Sequence, residues 1–328
     1  GPAERILPPD GSLGRSLDLR IDCFETGCGT WAGFKLTRYL LGFTGQARFG
    51  DWTERLLYNA IGAALPLGPG GRNFYYSDYR VAGGIKVYDE GTFTCCSGTL
   101  FQGLAEYHNL IYFKDPGALY VNLYVPSEVE WRRADGTVKL VQNTLYPEAE
   151  TSTLQLELPK PAAFALKFRV PGWSRGMSAK VNGTDVNLDA KPGEWATIDR
   201  TWTTGDTVEI RIPLHFRYEA VDPQHPTRVA VVRGPVVYIM DAGRHEPVQQ
   251  LPDEDQLDAW LTLDQGPPVF PWVTPQLQQT TVFKMPPFQQ SKGKRTMTAR
   301  WRPFYVTPEN WRYRMYFERK NLPMVLWE

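Results

Sequence analysis

Apolar residues recur at helical spacing near the start of the chain and at alternating spacing through most of the remainder. Between about residues 30 and 43, Trp31, Phe34, Leu36, Tyr39, Leu40 and Phe43 have the spacing of an amphipathic helix, which Thr44-Gly45 ends. A second helix is predicted over about residues 47–64, with Phe49, Trp52, Leu56, Leu57, Ala60 and Ile61 apolar, and Pro66, Gly68, Pro69, Gly70 and Gly71 stopping it. Together they form a helical hairpin, which must bury its apolar faces against further helices. Residues 73–79 are aromatic and strand-like. A third helix is predicted from Ser97, as N-cap, to about Phe113 through Leu100, Leu104, Tyr107 and Ile111.

After Asp115-Pro116-Gly117 the period changes from helical to alternating. Strands are predicted over residues 118–125, 138–142, 153–158, 165–170, 179–181, 196–200, 207–212, 228–232 and 236–240, with Asp135-Gly136 and Asn182-Gly183 as hairpin turns. Short strands at this spacing argue for a β-sandwich. Residues 246–294, rich in Pro, Gln and Asp, read as loops over the sandwich, and residues 296–306 and 311–317 as late strands that rejoin a sheet. The expected class is therefore a multidomain α+β chain: a helical part over 1–117, a β-sandwich over 118–245, and a loop-rich segment with late strands over 246–328.

Composition changes this picture little. A chain of 328 residues is long enough for two domains with real cores. Lys plus Arg and Asp plus Glu each number 36, so no net field argues for nucleic acid or an anionic membrane, and no apolar run is long enough to span a bilayer. The 11 Trp and 16 Tyr suit stacking on sugar rings, and they suit large cores equally well.

The cysteines change it more. All 4 lie in two short segments, at Cys23 and Cys28 and at Cys95 and Cys96. Adjacent cysteines make a poor disulfide, because closing a ring across one peptide bond strains the S–S geometry. Glu25, Cys28, Cys95 and Cys96 could supply one carboxylate and three thiolates to a four-coordinate zinc ion. A helix beginning beside Cys95 and Cys96 would favour their thiolates. Two other readings stand beside this one: a structural zinc site in which Cys23 replaces the carboxylate, and four buried thiols acting as small hydrophobes. Further carboxylates lie at Glu4, Glu54, Asp89, Glu90 and Glu106. His108, His215, His225 and His245 show no metal-ligand spacing. Gly68-Pro69-Gly70-Gly71 lacks the lysine of a phosphate loop, and neither Ser127 nor Ser174 sits in a nucleophile elbow.

In order along the chain, Glu25-Thr26-Gly27-Cys28-Gly29-Thr30-Trp31-Ala32, Glu54-Arg55-Leu56-Leu57-Tyr58-Asn59, Phe74-Tyr75-Tyr76, Cys95-Cys96 and Leu119-Tyr120-Val121-Asn122-Leu123-Tyr124 resemble glycoside hydrolase family 127, the zinc-dependent β-L-arabinofuranosidases. Val170-Pro171-Gly172-Trp173, Val181-Asn182-Gly183 and Trp202-Thr203-Thr204-Gly205-Asp206 suit that family's β-domains. The resemblance implies that residues 1–117 are the last helices of an (α/α)6 barrel that begins upstream, followed by β-sandwich domains. It implies a retaining glycosidase acting on an oligosaccharide or glycan, with Cys95 as nucleophile. Cys96, Cys28 and Glu25 would complete the Zn2+ sphere with Cys95, Tyr76 would lie near the sugar, and Glu4 would be the general acid/base. Two rivals accompany it. One is a non-catalytic carbohydrate-binding or scaffold module with a structural zinc. The other is a barrel fragment whose uncovered helical face needs a partner or a second copy.

Overall fold

The computed structural model describes residues 24–25, 27–65, 67–68, 72–77, 83–88, 95–223, 225–241, 251–265, 281–289 and 296–319. The fold is mixed and mostly β-sheet, with few helices. Among the described residues, no helix is long and apolar enough to cross a membrane.

The predicted hairpin is present, with two differences. Its first helix, α1 (Gly27–Thr44), begins ahead of the expected start and takes Cys28 into its first turn. Its buried face is Thr30, Gly33, Phe34, Thr37 and Leu41, while Leu36, Tyr39 and Phe43 of the apolar series are exposed at 47%, 61% and 85%. Gly33 lies on this buried face, where a Cβ would come 2.6 Å from Leu56 Cδ1 and the leucine side chain would have to shift. The second expected helix is three helical forms in succession: α2 (Arg48–Arg55), a π turn (Leu56–Ile61) and a 3-10 turn (Gly62–Ala64). The widened turn carries Asn59, whose Nδ2 donates to Pro235 O at 2.8 Å and whose Oδ1 accepts from Val237 N at 2.8 Å. One side chain thus stands in for a strand neighbour, which an uninterrupted apolar period cannot foretell.

The third helix, α3, spans Cys95–Glu106. Ser97 is therefore inside the helix rather than its cap. The helix also stops short of Phe113: a 3-10 turn (Tyr107–Leu110) follows, and Tyr112–Lys114 is a strand paired antiparallel with Ala118–Val121. Aromatic and β-branched residues at 111–113 serve either structure, and the turn at Asp115 decides it. Asp115 Oδ1 accepts from the amides of Gly117 and Ala118 at 2.7 and 2.8 Å, closing a hairpin.

The chain divides into two compact units, each discontinuous in sequence. One comprises Gly29–Leu57 and Phe101–Leu214. Its described residues build a six-stranded antiparallel sheet in the order Thr184–Val186, Ser178–Val181, Thr207–Arg211, Thr151–Glu157, Gly136–Thr144, Ser127–Arg133. A four-stranded sheet follows the order Trp195–Trp202, Ala162–Arg169, Ala118–Val121, Tyr112–Lys114. Alternation puts Val138, Leu140, Leu154, Leu156, Phe164, Leu166, Phe168 and Trp202 in the core. Trp131 and Phe164 meet edge to face at 5.4 Å. Strands stand where the alternating spacing predicted them along most of residues 118–212. Ser127–Arg133 escaped the sequence reading because Trp131 is its one buried side chain, and Glu128, Glu130, Arg132 and Arg133 put charge along this edge strand. The Asn182-Gly183 turn is as expected, with φ of 50° and 79°.

Within this unit α2 is locked to the sandwich by a buried ion cluster. The Arg169 side chain is fully buried. Its Nη2 donates to Glu54 Oε1 at 2.7 Å, Nη1 donates to Asp51, and Nε donates to Asn122 O at 2.7 Å. Tyr146 OH and Trp173 Nε1 also donate to Glu54, at 2.9 and 3.1 Å. Burial alone would depress the guanidinium pKa, but the Glu54 and Asp51 charges raise it above its ordinary value.

The other unit comprises Gly1–Cys28, Tyr58–Leu100 and His215–Glu328. Its eight-stranded sheet runs Phe216–Ala220, Arg228–Arg233, Val236–Asp241, Arg300–Pro303, Val282–Lys284, Thr262–Gln265, while Tyr313–Arg314 and Tyr316–Glu318 pair with Val236–Asp241 and Arg228–Arg233. The late strands rejoin a sheet as expected. The 246–294 segment is more than loop, because Thr262–Gln265 and Val282–Lys284 are members of that sheet. A three-stranded sheet (Phe24–Glu25, Phe74–Ser77, Lys86–Tyr88) lies in the same unit. Lys86 is buried there at 1% exposure. Its Nζ donates to Leu65 O at 2.7 Å and faces the Phe304 ring at 4.3 Å and the Phe74 ring at 5.2 Å.

Candidate functional site

Three short pieces of chain, distant in sequence, converge in the second of these units. Cys28 lies in the first turn of α1 and Cys95 begins α3. Their sulfurs are 3.4 Å apart. A disulfide is about 2.05 Å long, so the two thiols are in contact without being bonded to each other. Both are half-buried. The start of each helix is the positive end of the helix dipole, so two helix N-termini favour negative charge on this sulfur pair. The early start of α3 strengthens this argument, because Cys95 and Cys96 belong to the helix itself rather than to the segment before a Ser97 cap.

The third piece is the small sheet. Phe24–Glu25 pairs antiparallel with Phe74–Ser77, and Glu25 stands directly opposite Tyr76. Glu25 lies three residues before Cys28, with one strand residue opposite it and α1 opening at Gly27. The backbone therefore gathers four of the expected site positions: Glu25 and Tyr76 on paired strands, and Cys28 and Cys95 at two helix starts. Cys96 follows Cys95 in the first turn of α3. The side chains of Glu25, Tyr76 and Cys96 lie outside the described residues, as do Glu4 and Cys23 altogether.

Thr99, one turn into α3, was missed by sequence reasoning. Its Oγ1 lies 3.3 Å from Cys28 Sγ and donates to Cys95 O at 2.9 Å, so it touches both cysteines. The signal for it is spacing: a hydroxyl four residues beyond a cysteine on a helix shares that cysteine's face.

The donor set suits zinc in kind. Thiolates are preferred zinc ligands at about 2.3 Å, and two of them on one tetrahedral ion stand about 3.8 Å apart. The Cys28 and Cys95 sulfurs need to part by only a few tenths of an ångström from their 3.4 Å separation to meet that requirement. Among the described residues no cluster of three or more His, Cys, Asp or Glu side chains is present. Elsewhere, His225 Nδ1 is engaged with Asp222 at 2.9 Å, and Glu54 and Asp51 are engaged with Arg169, so these carboxylates have structural work.

Residues 118–214 match the family model described as β-L-arabinofuranosidase, GH127 middle domain. None of the curated proteins matches the chain. Among solved structures, a glycoside hydrolase superposes with a TM-score of 0.74 at 22% identity, covering 93% of this chain and 54% of that one. A GH127 β-L-arabinofuranosidase from Geobacillus stearothermophilus T6 gives 0.70 at 24% identity, with 93% and 51% covered. A GH127 β-arabinofuranosidase gives 0.70 at 21% identity, again with 93% and 51% covered. At such identities the likeness establishes a shared fold, and this chain spans about half the length of those structures.

Proposed function

We propose that this chain carries the thiol centre and β-domains of a retaining glycoside hydrolase of the β-L-arabinofuranosidase type. In this reading residues 1–117 supply the closing helices of an (α/α)6 barrel, and the substrate is an oligosaccharide or glycan bearing an L-arabinofuranose or related sugar. The observation that carries it is the contact between Cys28 and Cys95 at the starts of two helices, beside the strand pair holding Glu25 and Tyr76. Domain likeness to family members supports it.

Glu25, Cys28, Cys95 and Cys96 would hold the zinc ion. When bound, zinc supplies the charge that keeps thiols ionised at neutral pH. The Cys95 sulfur attacks the anomeric carbon, forming a C–S bond as the glycosidic C–O bond breaks. A carboxylic acid, assigned to Glu4, gives its proton to the departing oxygen. Water then attacks the same carbon from the opposite face, the C–S bond breaks, and the carboxylate takes the water's proton. Two inversions retain the configuration. Tyr76, on the strand paired with Glu25, would lie against the sugar.

The test is hydrolysis of an aryl β-L-arabinofuranoside, followed by intact mass after acid quench. Wild-type protein is expected to release the aryl alcohol and to gain the mass of one anhydropentosyl unit. Cys95→Ser is expected to do neither. Equal release by Cys95→Ser would overturn Cys95 as nucleophile.

One observation favours a second reading, in which helices from another chain complete the barrel. Leu36, Tyr39 and Phe43 form an exposed apolar row on α1, with Tyr39 and Phe43 stacked at 6.1 Å. Light scattering that shows a monomer at all concentrations would exclude it.

A further inference from the structure

Thr99 has one hydroxyl proton, and the Cys95 carbonyl and the Cys28 sulfur both lie within its reach. In the structure that proton goes to the carbonyl oxygen of Cys95 at 2.9 Å, while the Cys28 sulfur lies 3.3 Å from the Thr99 hydroxyl oxygen. A thiol at Cys28 can serve as donor to Thr99. A thiolate cannot, because it has only lone pairs to offer. The Cys95 carbonyl has little need of the hydroxyl, since a helical carbonyl also receives the amide proton of the residue four positions on, here Thr99 itself. The hydroxyl can therefore rotate toward sulfur and leave the helix hydrogen bond intact.

We propose that Thr99 is a positioning residue for the thiol pair: when Cys28 is a metal-bound thiolate, the Thr99 hydroxyl turns to donate to its sulfur, holding that sulfur in place and strengthening metal binding. This rests on the metal–thiolate reading above. A hydrogen bond to a thiolate disperses its charge and lowers its nucleophilicity. Thr99 reaches Cys28 through sulfur and Cys95 through its carbonyl, so one side chain ties the Cys28 sulfur to the helix that carries Cys95.

The experiment compares wild type, Thr99→Val and Thr99→Ser by competition for zinc with a chromophoric chelator, and by the thiolate-to-metal absorption of the cobalt(II)-loaded proteins. Valine keeps the shape and removes the hydroxyl; serine keeps the hydroxyl. Thr99→Val is expected to bind zinc about 10- to 100-fold more weakly, with its charge-transfer band moved to longer wavelength, and Thr99→Ser to restore both. A purely structural role would leave the band in place. Equal affinity and an unmoved band in Thr99→Val overturn the proposal while the metal site stands. Failure of the wild type to bind either ion overturns both. Should Thr99→Val fail to fold, Thr99→Ala makes the same comparison.

Discussion

The guanidinium of Arg169 and the carboxylate of Glu54 meet at 2.7 Å with side-chain exposures of 0% and 1%. Glu54 stands on α2 and Arg169 ends a strand of the sandwich, so the pair joins the helical hairpin to the β-sheets of the same unit.

Breaking that pair should cost far more than a surface ion pair would. Arg169→Ala leaves Glu54 buried beside Asp51 with no counter-charge, and removal of one partner of a buried pair typically costs about 3–5 kcal/mol. Urea titration of the variant is the check. A loss below about 1 kcal/mol, the scale of an exposed pair, would show the cluster to be solvated in solution.

Gly50 lies under the same cluster. A Cβ at this position would fall 2.0 Å from Asn122 Oδ1 and 2.4 Å from Arg169 Cδ. Both neighbours are fully buried and held by hydrogen bonds, so neither can swing away. Gly50→Ala should destabilise by about 1–3 kcal/mol or more through overpacking. Thermal unfolding with a midpoint equal to wild type would contradict the close approach.

Lys86 makes a pH prediction. Burial holds its pKa well below 10.5 in the fold, while the unfolded chain titrates near the ordinary lysine value of about 10.4. Between these two values the unfolded state binds one more proton than the native state, so stability rises with pH across the window and levels off near the unfolded value. Lys86→Met, similar in length and without the amine, should flatten this rise. Unfolding midpoints taken from about pH 6 to pH 10 would be parallel in the two proteins if Lys86 were charged and solvated.

For the thiol centre, zinc content is the decisive measurement. Elemental analysis of reduced, desalted protein should find about one zinc per chain, lost in Cys96→Ser. Zinc retained at full stoichiometry by that variant would remove Cys96 from the site. A folded wild-type protein without zinc would leave the cysteines as thiols, and the family resemblance would speak of ancestry alone.

The sandwich was legible in the sequence because its strands alternate and its turns use Gly, Asn and Asp. Asn182-Gly183 announces a two-residue hairpin, and its φ values deliver one. The helical hairpin was legible in extent but not in orientation. Phe43 and Tyr39 counted as buried in the periodic pattern, whereas Thr30 and Thr37 take the inner face. A methyl-bearing threonine whose hydroxyl returns to its own helix, as Thr37 does to Phe34 O at 3.1 Å, is as fit for burial as an aliphatic residue. The cysteine pairing could be read from clustering alone, since Cys28 and Cys95 are 67 residues apart yet in contact. Thr99 could be placed on the Cys95 face by its helical spacing, but its contact with Cys28 and the burial of Lys86 against Leu65, Phe74 and Phe304 are long-range and no local period encodes them.

The discontinuity of the two units bears on how the chain is made. Gly29–Leu57 and Phe101–Leu214 form one compact unit, whose chain is complete once residue 214 has left the ribosome. The unit with the thiol pair must wait, because Tyr313 bridges to Gly84 and Arg314 pairs with Met240. At about 5–20 residues per second, the intervening hundred or so residues take roughly 5–20 s to synthesise. During that interval one unit is complete while the strands that finish the sheet of the unit holding Cys28 and Cys95 are still to be made, so the order in which the two units fold is set by translation.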